Sequence, residues 1–130
     1  MSKKIIISED KFKCFVRYVI QVAKDKRCVP YHELENVFGL PHDTVGWYAG
    51  RLGDYCNSRS LPMLNCLVIS STTCEPSGGF DWYLKHAGTS WGEMVSSCWK
   101  KFHVTSTRAK QAQDFGKRDE DVARFLKESE

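Results

Sequence analysis

One segment, residues 29–84, constrains the fold more than the rest of the chain together. It reads VPYHELENVFGLPHDTVGWYAGRLGDYCNSRSLPMLNCLVISSTTCEPSGGFDWYL. Pro30 suits the first turn of a helix, where its missing amide proton would be unpaired anyway. Leu34, Val37 and Phe38 give that short helix a buried face, and Gly39 is a natural C-terminal stop. Pro41-His42-Asp43 opens a second helix with Val45, Ala49 and Leu52 on its inner side, flanked by Tyr48 and Tyr55. Gly46 and Gly50 lie inside this helix, each costing about 1 kcal/mol relative to alanine. Close approach of a neighbouring helix or of a ligand backbone would justify them.

Beyond the loop Asn57-Ser58-Arg59-Ser60, the apolar run Met63 to Ile69 reads as a buried strand. Ser70 to Gly79 is turn chemistry, and Phe80 to Leu84 is strand-like by its aromatics. The two strands make a β-hairpin with a long tip. Helix, tight turn, helix, hairpin is the outline of a winged helix-turn-helix. The expected fold class is therefore α+β: a winged helix-turn-helix with a two-stranded wing, plus flanking N-terminal and C-terminal helices.

The flanks have their own periodicity. Ser8-Glu9-Asp10 is a capping signal, and Phe12, Phe15, Val16, Val19, Val22 and Ala23 follow the helical period on one face. Lys24, Lys26 and Arg27 match the negative end of that helix. Trp91, Met94, Val95, Cys98, Trp99 and Phe102 form the most regular helical stripe, expected to cover the core beside the first helix. From Thr105 the chain turns polar. Arg108, Lys110, Lys117 and Arg118 precede Asp119-Glu120-Asp121, and Val122, Phe125 and Leu126 support a weak last helix. The expected division is a single winged-helix domain over 1–104 and a charged C-terminal helix or tail over 105–130.

The 130 residues suffice for one continuous core. Net charge is +3, too small for a global electrostatic argument toward nucleic acid, so any basic surface must be local. No apolar run reaches the length of a membrane span, and MSKKIIISEDK does not read as a signal peptide. Six cysteines at 14, 28, 56, 66, 74 and 98 include no C-x-x-C pair, which argues against a cysteine-rich zinc site. Reduced thiols in a cytoplasmic protein are the expectation, with Cys14 and Cys98 on apolar helix faces as packing residues. Neither cofactor nor metal is expected, since His32 and His42 lack a third ligand at recognisable spacing.

In a helix-turn-helix the first helix braces and the second lies in a groove. Residues 31–38 would brace and 42–56 would read. His42, Asp43, Thr44 and Trp47 point outward at the start of the reading helix, and Arg51 follows one turn on. Arg51 and Arg59 are candidate phosphate ligands, and Ser70, Ser71, Thr72 and Thr73 candidate hydrogen-bond donors from the wing. Cys66 is the one candidate nucleophile, but a reactive thiol needs a base or positive field, and Asn65 beside it is neither.

The segments Val29-Pro30-Tyr31-His32-Glu33-Leu34, Thr44-Val45-Gly46, Pro62 to Ile69 and Gly78-Gly79-Phe80 resemble the DNA-binding domain of O6-alkylguanine DNA alkyltransferases and alkyltransferase-like proteins. That family carries V-x-Y-G-E-L, R-A-V-G, P-C-H-R-V-V and a glycine-rich hairpin. The resemblance covers roughly residues 29–84 and implies a winged-helix domain that binds DNA, with Tyr31 among its contact residues. The chain departs where the family's chemistry lies: Cys66 is preceded by Asn65 and followed by Leu67 and Val68, and Asp43 stands at the family's helix arginine. The spacing also resembles small phage and bacterial defence-island proteins.

The expected function is non-catalytic binding of duplex DNA, in a phage or host-defence setting, through Tyr31, His42, Thr44, Trp47, Arg51, Arg59, Ser71, Thr72 and Thr73. Two other readings stay open. One is a protein-interaction module or inhibitor presenting Trp47, Tyr48, Trp82 and Tyr83. The other is thiol-dependent DNA alkyl repair through Cys66. No membrane partner is expected.

Overall fold

The structure, a computed structural model, describes residues 7–70, 72–74, 85, 88, 90–103 and 115–128. Helix α1 (Glu9–Lys24) starts where the sequence places its cap: the Ser8 hydroxyl accepts from the Lys11 amide, with Glu9 and Asp10 in the first turn. The Ser8 amide in turn donates to the Tyr48 hydroxyl at 3.1 Å. Phe12, Phe15, Val16, Val19, Val22 and Ala23 are all buried, as their period requires. Cys14 is exposed, contrary to the packing role expected of it. At 100° per residue it falls on the side of α1 opposite that stripe. The helix stops at Lys24, and Asp25 rather than Lys26 or Arg27 caps it.

Strand β1 (Val29–Pro30) runs directly into α2 (Tyr31–Phe38), with Pro30 as the extended residue before the first turn. Tyr31 and Leu34 are buried and Phe38 is half-buried, whereas Val37 is 49% exposed. A helix of only two turns buries a narrow stripe, and Val37 falls off the line through 31, 34 and 38. Gly39 ends α2 at φ 62°, the left-handed conformation that favours glycine. Helix α3 (His42–Ser58) then begins after Pro41. Val45, Ala49 and Leu52 face inward; Tyr48 and Tyr55 are full members of the core rather than its flanks. Phe15 meets Phe38 and Tyr48 at ring distances of 5.6 Å each, which locks α1 against the helix pair.

The expected strand over Met63–Ile69 is corrected. Leu64–Leu67 is a 3-10 turn, and only Val68–Ile69 is a strand, β2. Four consecutive buried residues at 64–67 cannot all face one side of a period-two strand. A tight turn, closed by the Cys66 amide on the Met63 carbonyl at 2.9 Å, turns them into the surrounding core. The sheet partner of β2 is β1, in parallel, with Val29 opposite Val68 and Pro30 opposite Ile69. The expected second wing strand, Phe80–Leu84, and most of the hairpin tip lie outside the described residues, as does Ser71.

Helix α4 (Trp91–Phe102) bears out its stripe: Met94, Val95, Cys98 and Phe102 are buried, and the helix packs on α1 and on the 3-10 turn. The Trp91 indole donates to the Cys66 carbonyl at 2.8 Å, and the Trp99 indole to the Arg27 carbonyl at 3.2 Å. Helix α5 (Phe115–Glu128) packs on α1, burying Val122 and Phe125. Each such burial contributes about 1.5–3 kcal/mol, enough to seat a helix that is otherwise polar. Five α-helices and a two-stranded parallel sheet among the described residues make this a mostly helical α+β protein. None of the described helices is long and apolar enough to cross a membrane.

Candidate nucleic-acid interface

The turn at Gly39 sets α2 against α3 and leaves one side of the first two turns of α3 facing outward. His42 and Asp43 are exposed, Thr44 is half-buried, and Trp47 is 54% exposed. These four sequence-selected residues do share one end of one helix. His42 Nδ1 lies 3.4 Å from a Glu35 carboxylate oxygen, and its ring stands 5.0 Å from that of Tyr31. Tyr31, expected at the contact surface, is only 8% exposed. Its ring supports His42 from beneath, and its hydroxyl reaches within 4.0 Å of where a side chain at Gly46 would begin. No described atom comes within 4 Å of the same point at Gly50.

The two arginines expected at phosphates are brought together, but around a protein group. The Arg51 guanidinium sits 4.7 Å from the centre of the Phe125 ring and 3.6 Å from Asp54. Arg59 donates to Asp121 at 2.9 Å and to Glu128 at 3.2 Å, with its guanidinium 5.9 Å from the same Phe125 ring. Asp121 also accepts from the Tyr55 hydroxyl at 2.6 Å, and Arg118 donates to that hydroxyl at 3.2 Å. Burial alone would raise the Asp121 carboxyl; the Tyr55 hydroxyl and Arg59 outweigh it and hold the group below the usual carboxylate range. On α1, Arg17 donates to both oxygens of Asp119. Sequence reasoning missed these partnerships. Their signal was the spacing of Asp119 and Asp121 beside Val122 and Phe125, which puts carboxylates at the edge of the buried stripe.

At the wing position, Thr72 and Thr73 are exposed, and their amides donate to the Ser70 hydroxyl at 3.2 and 3.4 Å. Trp82 and Tyr83 lie outside the described residues, and Tyr48 is 2% exposed, so it cannot belong to an exposed aromatic patch.

Cys66 is fully buried, its sulfur 3.8 Å from that of Cys98. The contact with Cys98 and then burial push its thiol well above the ordinary range, and Cys28 and Cys56 push the same way. Asn65 beside it is buried with its side-chain oxygen unpaired among the described residues. Among those residues, no group of three or more histidine, cysteine or acidic side chains is placed to hold a metal ion. No protein-family model, curated protein or solved structure matches the chain.

Proposed function

We propose that the protein binds duplex DNA without catalysis, laying the N-terminal half of α3 in a groove with His42, Thr44 and Trp47 foremost. The exposed indole of Trp47 carries this reading. The chain buries its other described tryptophans at least in part, yet leaves this one outward in the N-terminal half of α3, the helix that would lie in the groove if α2 and α3 act as a helix-turn-helix. Exposed Thr72 and Thr73 would add hydrogen-bond donors from the expected wing. Binding should be salt-sensitive, as contacts to phosphates release counterions. Fluorescence anisotropy with a labelled duplex over a salt series tests it: Trp47→Ala should weaken binding by about tenfold, the scale of one good groove contact. Wild-type affinity in that variant would refute the surface.

A protein partner is the second reading, favoured by one observation: α5 holds Arg51 and Arg59, so the outer face is aromatic more than cationic. Exposed Trp47 and Val37 would then be its anchors. Absence of duplex binding at low salt, together with a stoichiometric protein complex lost on Trp47→Ala, would select it.

A further inference from the structure

Arginines from two helices of the body converge on a single helix. Arg17 of α1 meets Asp119, Arg59 at the C-cap of α3 meets Asp121 and Glu128, and Arg51 of α3 lies over Phe125. Bulk charge does not explain this docking, because residues 115–128 contain four acidic and four basic side chains. Three of its acids, Asp119, Asp121 and Glu128, meet the arginines of the body, while Glu120, Lys117 and Lys127 are exposed, Arg124 lies 3.8 Å from Asp121 and Arg118 donates to the Tyr55 hydroxyl.

A guanidinium that holds two carboxylates uses the same forked donors that it would present to phosphodiester oxygens. Buried Val122 and Phe125 and the Tyr55 hydroxyl on Asp121 seat the helix, whereas its ion pairs to the body are partly open to water. Exposed pairs of this kind contribute little each, so a polyanion can compete for the arginines.

We propose that α5 is an internal acidic competitor for the phosphate-binding side of α3, and that duplex DNA engages Arg51 and Arg59 only when α5 leaves them. The inference rests on the DNA-binding reading above. It makes the C-terminal helix a restraint on affinity as well as a covering for the core. Undocking belongs to the class of local opening events that a small polar helix can undergo without global unfolding.

The test compares wild type, Trp47→Ala, the isosteric pair Asp121→Asn with Glu128→Gln, and that pair combined with Arg59→Ala. Each is titrated with one labelled duplex over a salt series, and thermal melts confirm folding. The neutralised pair should bind about three- to tenfold more tightly, with a salt slope steeper by about one phosphate contact. Adding Arg59→Ala should cancel that gain. Amide hydrogen exchange over 117–128 should speed up when wild type is saturated with duplex.

If wild type binds and Trp47→Ala weakens it, yet the neutralised pair gains nothing and exchange over 117–128 is unchanged, the inference falls and the DNA reading stands. If no variant binds duplex at low salt, both fall.

Discussion

The Tyr55 hydroxyl donates a 2.6 Å hydrogen bond to Asp121 Oδ2, tying the inner side of α3 to the C-terminal helix. The phenol is in the core and its acceptor is at the edge, so the bond closes the seam between the two elements. Burial, reinforced by Asp121 and opposed by Arg118, pushes the Tyr55 hydroxyl up to about 12.

Tyr55→Phe should therefore lower stability by about 1 kcal/mol at neutral pH, the usual net worth of such a bond. The folded state holds this proton more tightly than the unfolded chain. The contribution is complete below pH 10 and is lost as pH rises through about 12. Urea unfolding from pH 7 to 11.5 should show the alkaline decline of wild type flattened in the variant. An unchanged alkaline limb would assign it elsewhere.

Acid stability should respond to Glu33. Its carboxylate accepts from Arg27, and also from Tyr18, and the two hold it below the ordinary carboxylate range. A lowered carboxylate stabilises above its unfolded value, near 4.5, and that contribution disappears as pH falls through the lower folded value. Glu33→Gln should flatten thermal stability below about pH 4.5. The loss at pH 7 should stay under about 1 kcal/mol, because solvent screens the pair.

Thiol chemistry should separate the cysteines by burial. A chromogenic disulfide reagent at pH 8 should titrate Cys14 and Cys74 at once, because these are the exposed thiols, and reach half-buried Cys28 slowly. Cys56, whose thiol burial pushes up to about 12, should react only after denaturation, together with Cys66 and Cys98. Peptide mapping of the labelled protein identifies the sites. Rapid labelling of Cys66 in the native state would contradict its burial and revive a thiol chemistry for it.

Gly50→Ala should raise stability by about 0.5–1 kcal/mol, the helix-propensity gain at an interior position. A methyl group there meets no described atom within 4 Å. The substitution also separates two roles. If stability rises while duplex affinity falls, a ligand backbone uses the space over Gly50; if affinity holds, duplex binding does not need a glycine there.

The helices were legible because their signals are local. Ser8, the stripe from Phe12 to Ala23, Gly39 and the stripe from Trp91 to Phe102 each define their element within a few residues. The turn at 64–67 was not, since an apolar run is compatible with a strand or any other buried segment. What surrounds it decides its shape. The outward end of α3 was readable by elimination from its inner face, which placed His42, Asp43 and Trp47 correctly outside. The engagement of Arg59 was hidden because its partners lie 62 and 69 positions away. The burial of Tyr31 was not legible, because a tyrosine at a helix start looks the same in sequence whether it faces solvent or packs inward.

The parallel pairing of Val29 with Val68 has a kinetic consequence. Two residues of ladder close a loop that contains α2, α3 and the 3-10 turn, and so great a separation must be closed before the small pairing gives anything back. The clasp is therefore expected to form late, after the helix pair has docked on α1. Weakening the clasp at Val68 should then speed unfolding more than it slows folding.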